Sequence, residues 1–169
     1  RDITARSRAE ASLRETLSLF ETTFESTADG IVVMGLDKQI VTCNTKFVEM
    51  WGIDQDIIDR KDGSALVYHI AGELVNTDEF LVRIKKTYET PEAAISEILE
   101  LKDGRIFERY SQPQYLDGKP IGRVASFRDI TERSRAEERL RHYALHDTLT
   151  NLPNRVQFMQ RLEDSVERS

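Results

Sequence analysis

Ile121-Gly-Arg-Val-Ala-Ser-Phe-Arg-Asp-Ile-Thr131 is the stretch from which the rest of the chain is read. It is a β-rich run that passes through Arg128-Asp-Ile-Thr131 into Glu132-Arg-Ser-Arg-Ala-Glu137 with neither glycine nor proline to break a helix. A strand over about Ile121–Arg128, followed at once by a helix, is the direct reading. Residues Arg128 to Glu137 also repeat the start of the chain, Arg1-Asp-Ile-Thr-Ala-Arg-Ser-Arg-Ala-Glu10, with nine identities in ten at an offset of 127 residues. Chance does not produce such a match. A unit that closes with Arg-Asp-Ile-Thr and a helix therefore occurs in tandem, and the chain, which opens on Arg1, is expected to be a piece of a longer protein containing one whole copy.

Both flanks read as helices. Leu13, Leu17, Phe20 and Phe24 recur at spacings of four, three and four, an apolar seam among polar neighbours over about Ser7–Glu25. Ser7-Arg-Ala-Glu10 and Ser134-Arg-Ala-Glu137 fit the capping box, which predicts a helix start at each serine. Glu10 with Arg14, and Glu137 with Arg141, stand in the favourable i,i+4 order.

Between the flanks the chain changes character: all eight glycines lie from Gly30 to Gly122, and three of the four prolines from Pro91 to Pro120. The turns are therefore in the middle. Gly30–Leu36 and Gln39–Cys43 read as a hairpin about Asp37-Lys38. Asn44 can cap a short helix carrying Phe47, Val48 and Trp51, with Gly52 ending it. Polar, less ordered sequence is expected next, with Asp62-Gly63 as a turn, then a helix over about Asp78–Tyr88 stopped by Pro91. Strands over about Ala94–Leu101, Arg105–Gln112 and Ile121–Arg128 follow, turned by Asp103-Gly104 and Asp117-Gly118. Two strands, short helices and three strands, without βαβ alternation, predict an α+β fold: a five-stranded antiparallel sheet with short helices on one face, flanked by long amphipathic helices.

Composition excludes several functions. The net charge of −6 disfavours nucleic acid and anionic membrane surfaces as partners, and no run of about 18 apolar residues is present. Cys43 is the only cysteine, which forbids an intrachain disulfide and an all-cysteine metal site and fits a reducing, cytoplasmic setting. No Ser/His/Asp set, P-loop or glycine-rich fingerprint occurs, so no catalytic residue and no metal site is assigned. Paired acids such as Asp54/Asp56 and Glu137/Glu138 read as solvated faces.

The element order, closed by Ile121–Thr131, resembles a PAS domain with its C-terminal PAC-type extension. Asp129-Ile-Thr131 is similar to that family's sheet-to-linker motif, and Asp29-Gly-Ile-Val32, Asn44, Phe47 and Asp103-Gly-Arg105 are further echoes. Leu140-Arg-His-Tyr-Ala-Leu-His-Asp-Thr-Leu-Thr-Asn-Leu-Pro-Asn-Arg155 and on to Leu162 resembles the entry segment of a GGDEF diguanylate cyclase domain, with Asn151 where that family often has glycine. The Gly-Gly-Asp-Glu-Phe hairpin and its metal-holding carboxylates are not in the sequence, so these residues are not expected to make cyclic di-GMP. The implied organisation is a linker helix over residues 1–23, a PAS domain over 24–131, a second linker over 132–146 and the start of a GGDEF domain over 147–169.

The resemblance implies a sensory and dimerisation module of a bacterial signalling protein, regulating a downstream diguanylate cyclase through a helical linker. Asp129 and Thr131 are the candidate signal-transmission residues; they can equally be a simple helix cap. Leu13, Leu17 and Phe20, and Leu140 and Tyr143, are the residues expected to pair in a homodimer. A small molecule in the pocket is the implied ligand, while the cofactor is left unassigned. Two alternatives stay open: a structural PAS spacer without ligand, and the sensor of a degenerate cyclase or of a cyclic di-GMP phosphodiesterase.

Other candidates read as structural. Cys43 lacks the Asn-Cys-Arg-Phe-Leu-Gln-like helix of photoactive flavin-binding relatives and reads as a packed thiol. His69, in Val67-Tyr-His-Ile-Ala71, does not sit in a haem-ligand pattern, and His142 and His146 lack the continuation of a histidine-kinase phosphoacceptor box. Trp51, Phe47, Phe80 and Tyr88 are expected to be core or pocket wall. Val156, Met159, Leu162 and Val166 form a stripe expected to be disordered or docked on a neighbouring chain.

Overall fold

The computed structural model describes residues 2–145 and 155–167 (of 155–158 and 167, the backbone only), in two compact units, Arg1–Asp129 and Ile130–Ser169. The first unit holds helix α1 (Asp2–Ser26), strands β1 (Gly30–Gly35) and β2 (Ile40–Cys43), helices α2 (Thr45–Trp51), α3 (Gln55–Asp59), α4 (Gly63–Glu73) and α5 (Thr77–Glu89), and strands β3 (Ile95–Glu100), β4 (Ile106–Leu116) and β5 (Lys119–Asp129). The second holds α6 (Thr131–Leu145) and α7 (Arg155–Glu167).

The strands form one sheet in the order β2-β1-β5-β4-β3, with every neighbouring pair antiparallel. The last strand thus lies at the centre, beside the first. The turns follow the local chemistry: Asp37 Oδ1 accepts the Gln39 amide at 3.1 Å beneath Lys38 at φ 66°, and Asp117 and Gly118 both take positive φ (49° and 76°) to join β4 to β5. Pro113 is tolerated inside β4 because β3 pairs only as far as Ser111, so no neighbour on that side asks for its missing N–H.

One face of the sheet carries the core. Val32, Met34, Leu99, Phe107, Ala125 and Phe127 point into a cluster completed by Phe47, Trp51, Leu66, Ile70 and Phe80 from the helices. Trp51 meets Phe107 and Phe127 edge-on, at ring separations of 5.0 and 5.4 Å. Each such buried ring or aliphatic side chain contributes about 1.5–3 kcal/mol, so this face sets the helix positions.

Three expectations are corrected. The helices start before their serines, α1 at Asp2 and α6 at Thr131, so Ser7 and Ser134 lie inside them and the capping boxes are not formed. The repeated decapeptide expresses itself in matching ion pairs, Arg6 with Glu10 and Arg133 with Glu137, each at 3.1 Å, instead of the pairs from Glu10 and Glu137 to the following arginines. The sequence after Gly52, expected to be less ordered with a turn at Asp62-Gly63, holds the helices α3 and α4. Asp62 is the N-cap of α4, its Oδ1 accepting the Ala65 amide at 2.9 Å, and Gly63 opens the helix. The stripe for which disorder or docking on a neighbouring chain is expected lies on α7, a helix with Met159, Leu162 and Val166 exposed.

Candidate ligand cavity and the joint to helix α1

The core does not close completely. Where α4 and α5 cross the sheet, a cavity of about 50 Å³ remains between Val32 and Met34 of β1, Leu66 and Ile70 of α4, and Phe80 and Thr87 of α5. The sheet floor is chemically mixed. Alternation along β4 and β5 turns Arg109, Ser111 and Arg123 inward beside Ala125 and Phe127. A second, outer cavity of about 360 Å³ lies against the first, sharing Val67, Ile84 and Tyr88 as walls and lined further out by Lys38, Ser64, Tyr68 and Lys85.

Both inward arginines are buried, at 5% exposure each. Arg109 donates to Glu97 Oε1 at 2.8 Å, and Glu97 accepts with its other oxygen from Arg83 at 2.7 Å, so one carboxylate serves two guanidiniums. Arg123 has no carboxylate partner among the described residues. It donates to the carbonyls of Pro91 (2.9 Å), Ala93 (2.5 Å) and Ser111 (3.2 Å) and to Ser111 Oγ (3.1 Å), which ties the segment after α5 down onto the sheet. Burial lowers the guanidinium pKa of both, and for Arg123 the nearby charge of Arg109 acts in the same direction. Tyr88 is half-buried, and desolvation raises its phenol pKa against the opposing pull of Arg109 and Arg123. Lys38 stands over its ring, 5.2 Å from the centroid.

A polar joint lies at the other end of the unit. Asn44 is fully buried and makes four hydrogen bonds: Nδ2 donates to the carbonyls of Phe24 (2.9 Å) and Asp29 (3.0 Å), and Oδ1 accepts from the amides of Ile31 (2.8 Å) and Phe47 (2.9 Å). The cap foreseen for α2 is thus also the fastening of α1 to β1. Glu25 adds a bond from the Thr45 amide at 3.0 Å, and Arg128 grips Asp29 with two bonds of 3.0 Å.

Asp129 ends β5 and is exposed; Thr131 opens α6 and is buried; and the Ser134 amide donates to the Ile130 carbonyl at 2.8 Å, so the helix begins within two residues of the strand. Leu13, Leu17 and Phe20 are exposed on α1, where no residue is buried, and Leu140 and Tyr143 are exposed on α6. Phe47 and Trp51 are core and take no part in the cavity, whereas Phe80 and Tyr88 line it. His69 Nε2 lies 2.8 Å from the Trp51 carbonyl, a bond it can make only as donor, which removes that nitrogen as a metal ligand. Cys43 is partly buried against the core, and burial, helped by Glu25, raises its thiol pKa. His146, like Asp147 to Asn154 of the second resemblance, lies outside the described residues. Among the described residues no group of three or more His, Cys, Asp or Glu could hold a metal ion, and no helix is long and apolar enough to cross a membrane.

The family model for the PAS fold matches residues 24–138. The chain belongs to the PAS fold family. Solved structures agree on the fold. The PAS domain of Bordetella pertussis BvgS is 16% identical with a TM-score of 0.54, covering 75% of this chain and 95% of that one. The PAS domain of an HTR-like protein from Haloarcula marismortui is 23% identical with a TM-score of 0.50, covering 73% and 99%. An RNA-binding light-oxygen-voltage receptor is 16% identical with a TM-score of 0.55, covering 75% of this chain and 36% of that one. None of the curated proteins matches the sequence. Within this PAS domain, sequence reasoning missed Arg109, Arg123 and Glu97; the signal available was an arginine at an inward position of each of two strands otherwise alternating apolar and polar.

Proposed function

We propose that this PAS domain is the sensory and dimerisation module of a bacterial signalling protein, acting in the cytoplasm as a homodimer and regulating a downstream diguanylate cyclase through its helical linker. The observation that carries the reading is α1: 25 residues, about 37 Å at ~1.5 Å per residue, with no buried residue and an apolar seam of Leu13, Leu17 and Phe20. A helix of that length bearing such a seam is stabilised by a partner, and a second copy supplies an identical one. Its C-terminal end is fastened to the sheet by Asn44, so a change in the sheet has a route into the helix. Asp129 and Thr131 give the outgoing side the same role: one residue separates β5 from α6, with Leu140 and Tyr143 as its pairing positions. A ligand that distinguishes two linker arrangements by about 1–3 kcal/mol shifts their ratio roughly 5- to 150-fold, without any catalytic residue.

The organisation that goes with this reading is a linker over residues 1–23, the PAS domain with its PAC-type extension over 24–131, a linker over 132–146 and the first segment of a GGDEF domain over 147–169. The likeness of Leu140–Leu162 to a cyclase entry segment supports the choice of output. Light scattering on the full chain tests the dimer. A dimer is expected, with Leu17→Ser/Phe20→Ser giving monomers that keep the cooperative unfolding of the PAS core and lose part of the helical circular dichroism; a wild-type monomer at every concentration overturns it. Sequence downstream of residue 169 tests the output: an intact Gly-Gly-Asp-Glu-Phe hairpin supports a cyclase, and its absence refutes it.

A further inference from the structure

The two cavities have a charge asymmetry that the rest of the chain does not. The protein carries 30 acidic against 24 basic side chains, yet no Asp or Glu lines either cavity, while Arg109 and Arg123 line the inner one and Lys38 and Lys85 the outer. The nearest compensation is incomplete. Glu97 is shared by Arg83 and Arg109, Glu79 is exposed and reaches only Arg83, at 3.7 Å, and Arg123 has no carboxylate among the described residues. All four bonds from Arg123 go to neutral oxygens, and Arg109 gives one bond to Glu97 and has no further protein acceptor among the described residues. A buried cation in this position calls for an anion.

We propose that the inner cavity binds a small monocarboxylate, its carboxylate received by Arg109 and Arg123 with the hydroxyls of Ser111 and Tyr88 as further donors. This rests on the sensor reading of the domain and names its ligand class. The remaining walls select the rest of the molecule: Val32, Leu66, Ile70, Phe80, Ala125 and Phe127 offer no hydrogen bond, so the part beyond the carboxylate is aliphatic. The inner space of about 50 Å³ fits a few heavy atoms, given that one water occupies ~10–15 Å³ on this measure. Inorganic sulfate or phosphate would leave those apolar walls unfilled. A longer chain continues past Val67, Ile84 and Tyr88 into the outer cavity, where Lys38 and Lys85 also draw anions toward the entrance.

Calorimetric titration and amide NMR of the full chain with butyrate, butyramide, butanol and inorganic phosphate test the assignment. Butyrate is expected to bind saturably, with shifts concentrated at Thr87, Arg109, Ser111 and Arg123; butyramide, of the same shape without charge, should bind at least about tenfold more weakly. Equal binding of acid and amide, shifts confined to residues outside the cavity, tighter binding of phosphate, or no binding of butyrate at about 10 mM each overturns the proposal. Arg123→Met should abolish binding, and so should Ala125→Ile, which fills the cavity and keeps both arginines. Should neither variant fold, the acid-against-amide comparison on the unaltered chain decides. Failure here, with a neutral molecule found in the cavity by native mass spectrometry, leaves the sensor reading standing. A monomeric chain that binds butyrate removes the dimer reading and leaves this one.

Discussion

The side-chain amide of Asn44 holds the backbone carbonyl of Phe24 at 2.9 Å, across 20 residues of sequence and from the start of one helix to the last turn of another. That carbonyl belongs to the group of four that a helix leaves unsatisfied at its C-terminus, so a single buried amide both ends α1 and attaches it to the sheet. The same side chain closes the first turn of α2 through the Phe47 amide. Movement of β1 or α2 therefore reaches α1 through Asn44, with the bond from the Thr45 amide to Glu25 beside it.

Asn44→Ala removes four hydrogen bonds at a fully buried position and strands their partners. The expected loss is about 3 kcal/mol in urea denaturation, with the amides of the last turn of α1 losing hydrogen-exchange protection before those of β5. Uniform loss across the domain would refute the role of Asn44 as a joint.

Gly122 and Gly72 should respond in opposite directions to alanine. A Cβ on Gly122 would fall on the Met34 carbonyl and lie 3.3 Å from the Gly35 Cα, both backbone atoms of the paired strand that no rotamer change can move. Gly122→Ala is expected to cost about 2 kcal/mol or more by parting β1 from β5. Gly72, near the end of α4 with nothing within 4 Å of its added Cβ, gains helix propensity, and Gly72→Ala should stabilise by up to about 1 kcal/mol. Thermal unfolding of the two variants checks both signs.

Asp103 gives a pH dependence. The Arg105 amide at 3.0 Å, and then its guanidinium at 2.8 Å, hold the Asp103 carboxyl below the usual carboxylate range. A group whose pKa is lower folded than unfolded adds stability above its unfolded pKa and loses it as pH falls through the folded value. Asp103→Asn should therefore be slightly less stable than wild type near neutrality, with the difference closing under acid; the exposure of the pair keeps it small. Urea midpoints across the acidic range measure it, and a difference that widened on acidification would refute the assignment.

Legibility in the sequence followed the range of the interaction. Asn44, Gly52, Asp103-Gly104 and Asp117-Gly118 act on backbone within a few residues, and their capping and turn roles were readable in place. α4 was not, because apolar residues surround most of its short length and two glycines weaken its propensity; it is helical because Leu66, Ile70 and Ala71 pack on the sheet. The capping boxes were legible but wrong: the chain upstream of Ser7 and Ser134 was already helical, and a serine inside a helix has no free first-turn amide to take.

By itself the sequence determined the antiparallel α+β order, the duplicated Arg-Asp-Ile-Thr terminus and the apolar seam of α1, since periodicity, turn chemistry and repetition are properties of neighbouring residues. Only the tertiary structure decided that β5 lies between β1 and β4, that Arg109 and Arg123 meet beneath α5 with too little acid to balance them, and that Asn44 reaches back to Phe24. Those relations join residues as far apart as Gly30 and Phe127, and the burial that gives them their energy exists only once the helices have closed over the sheet.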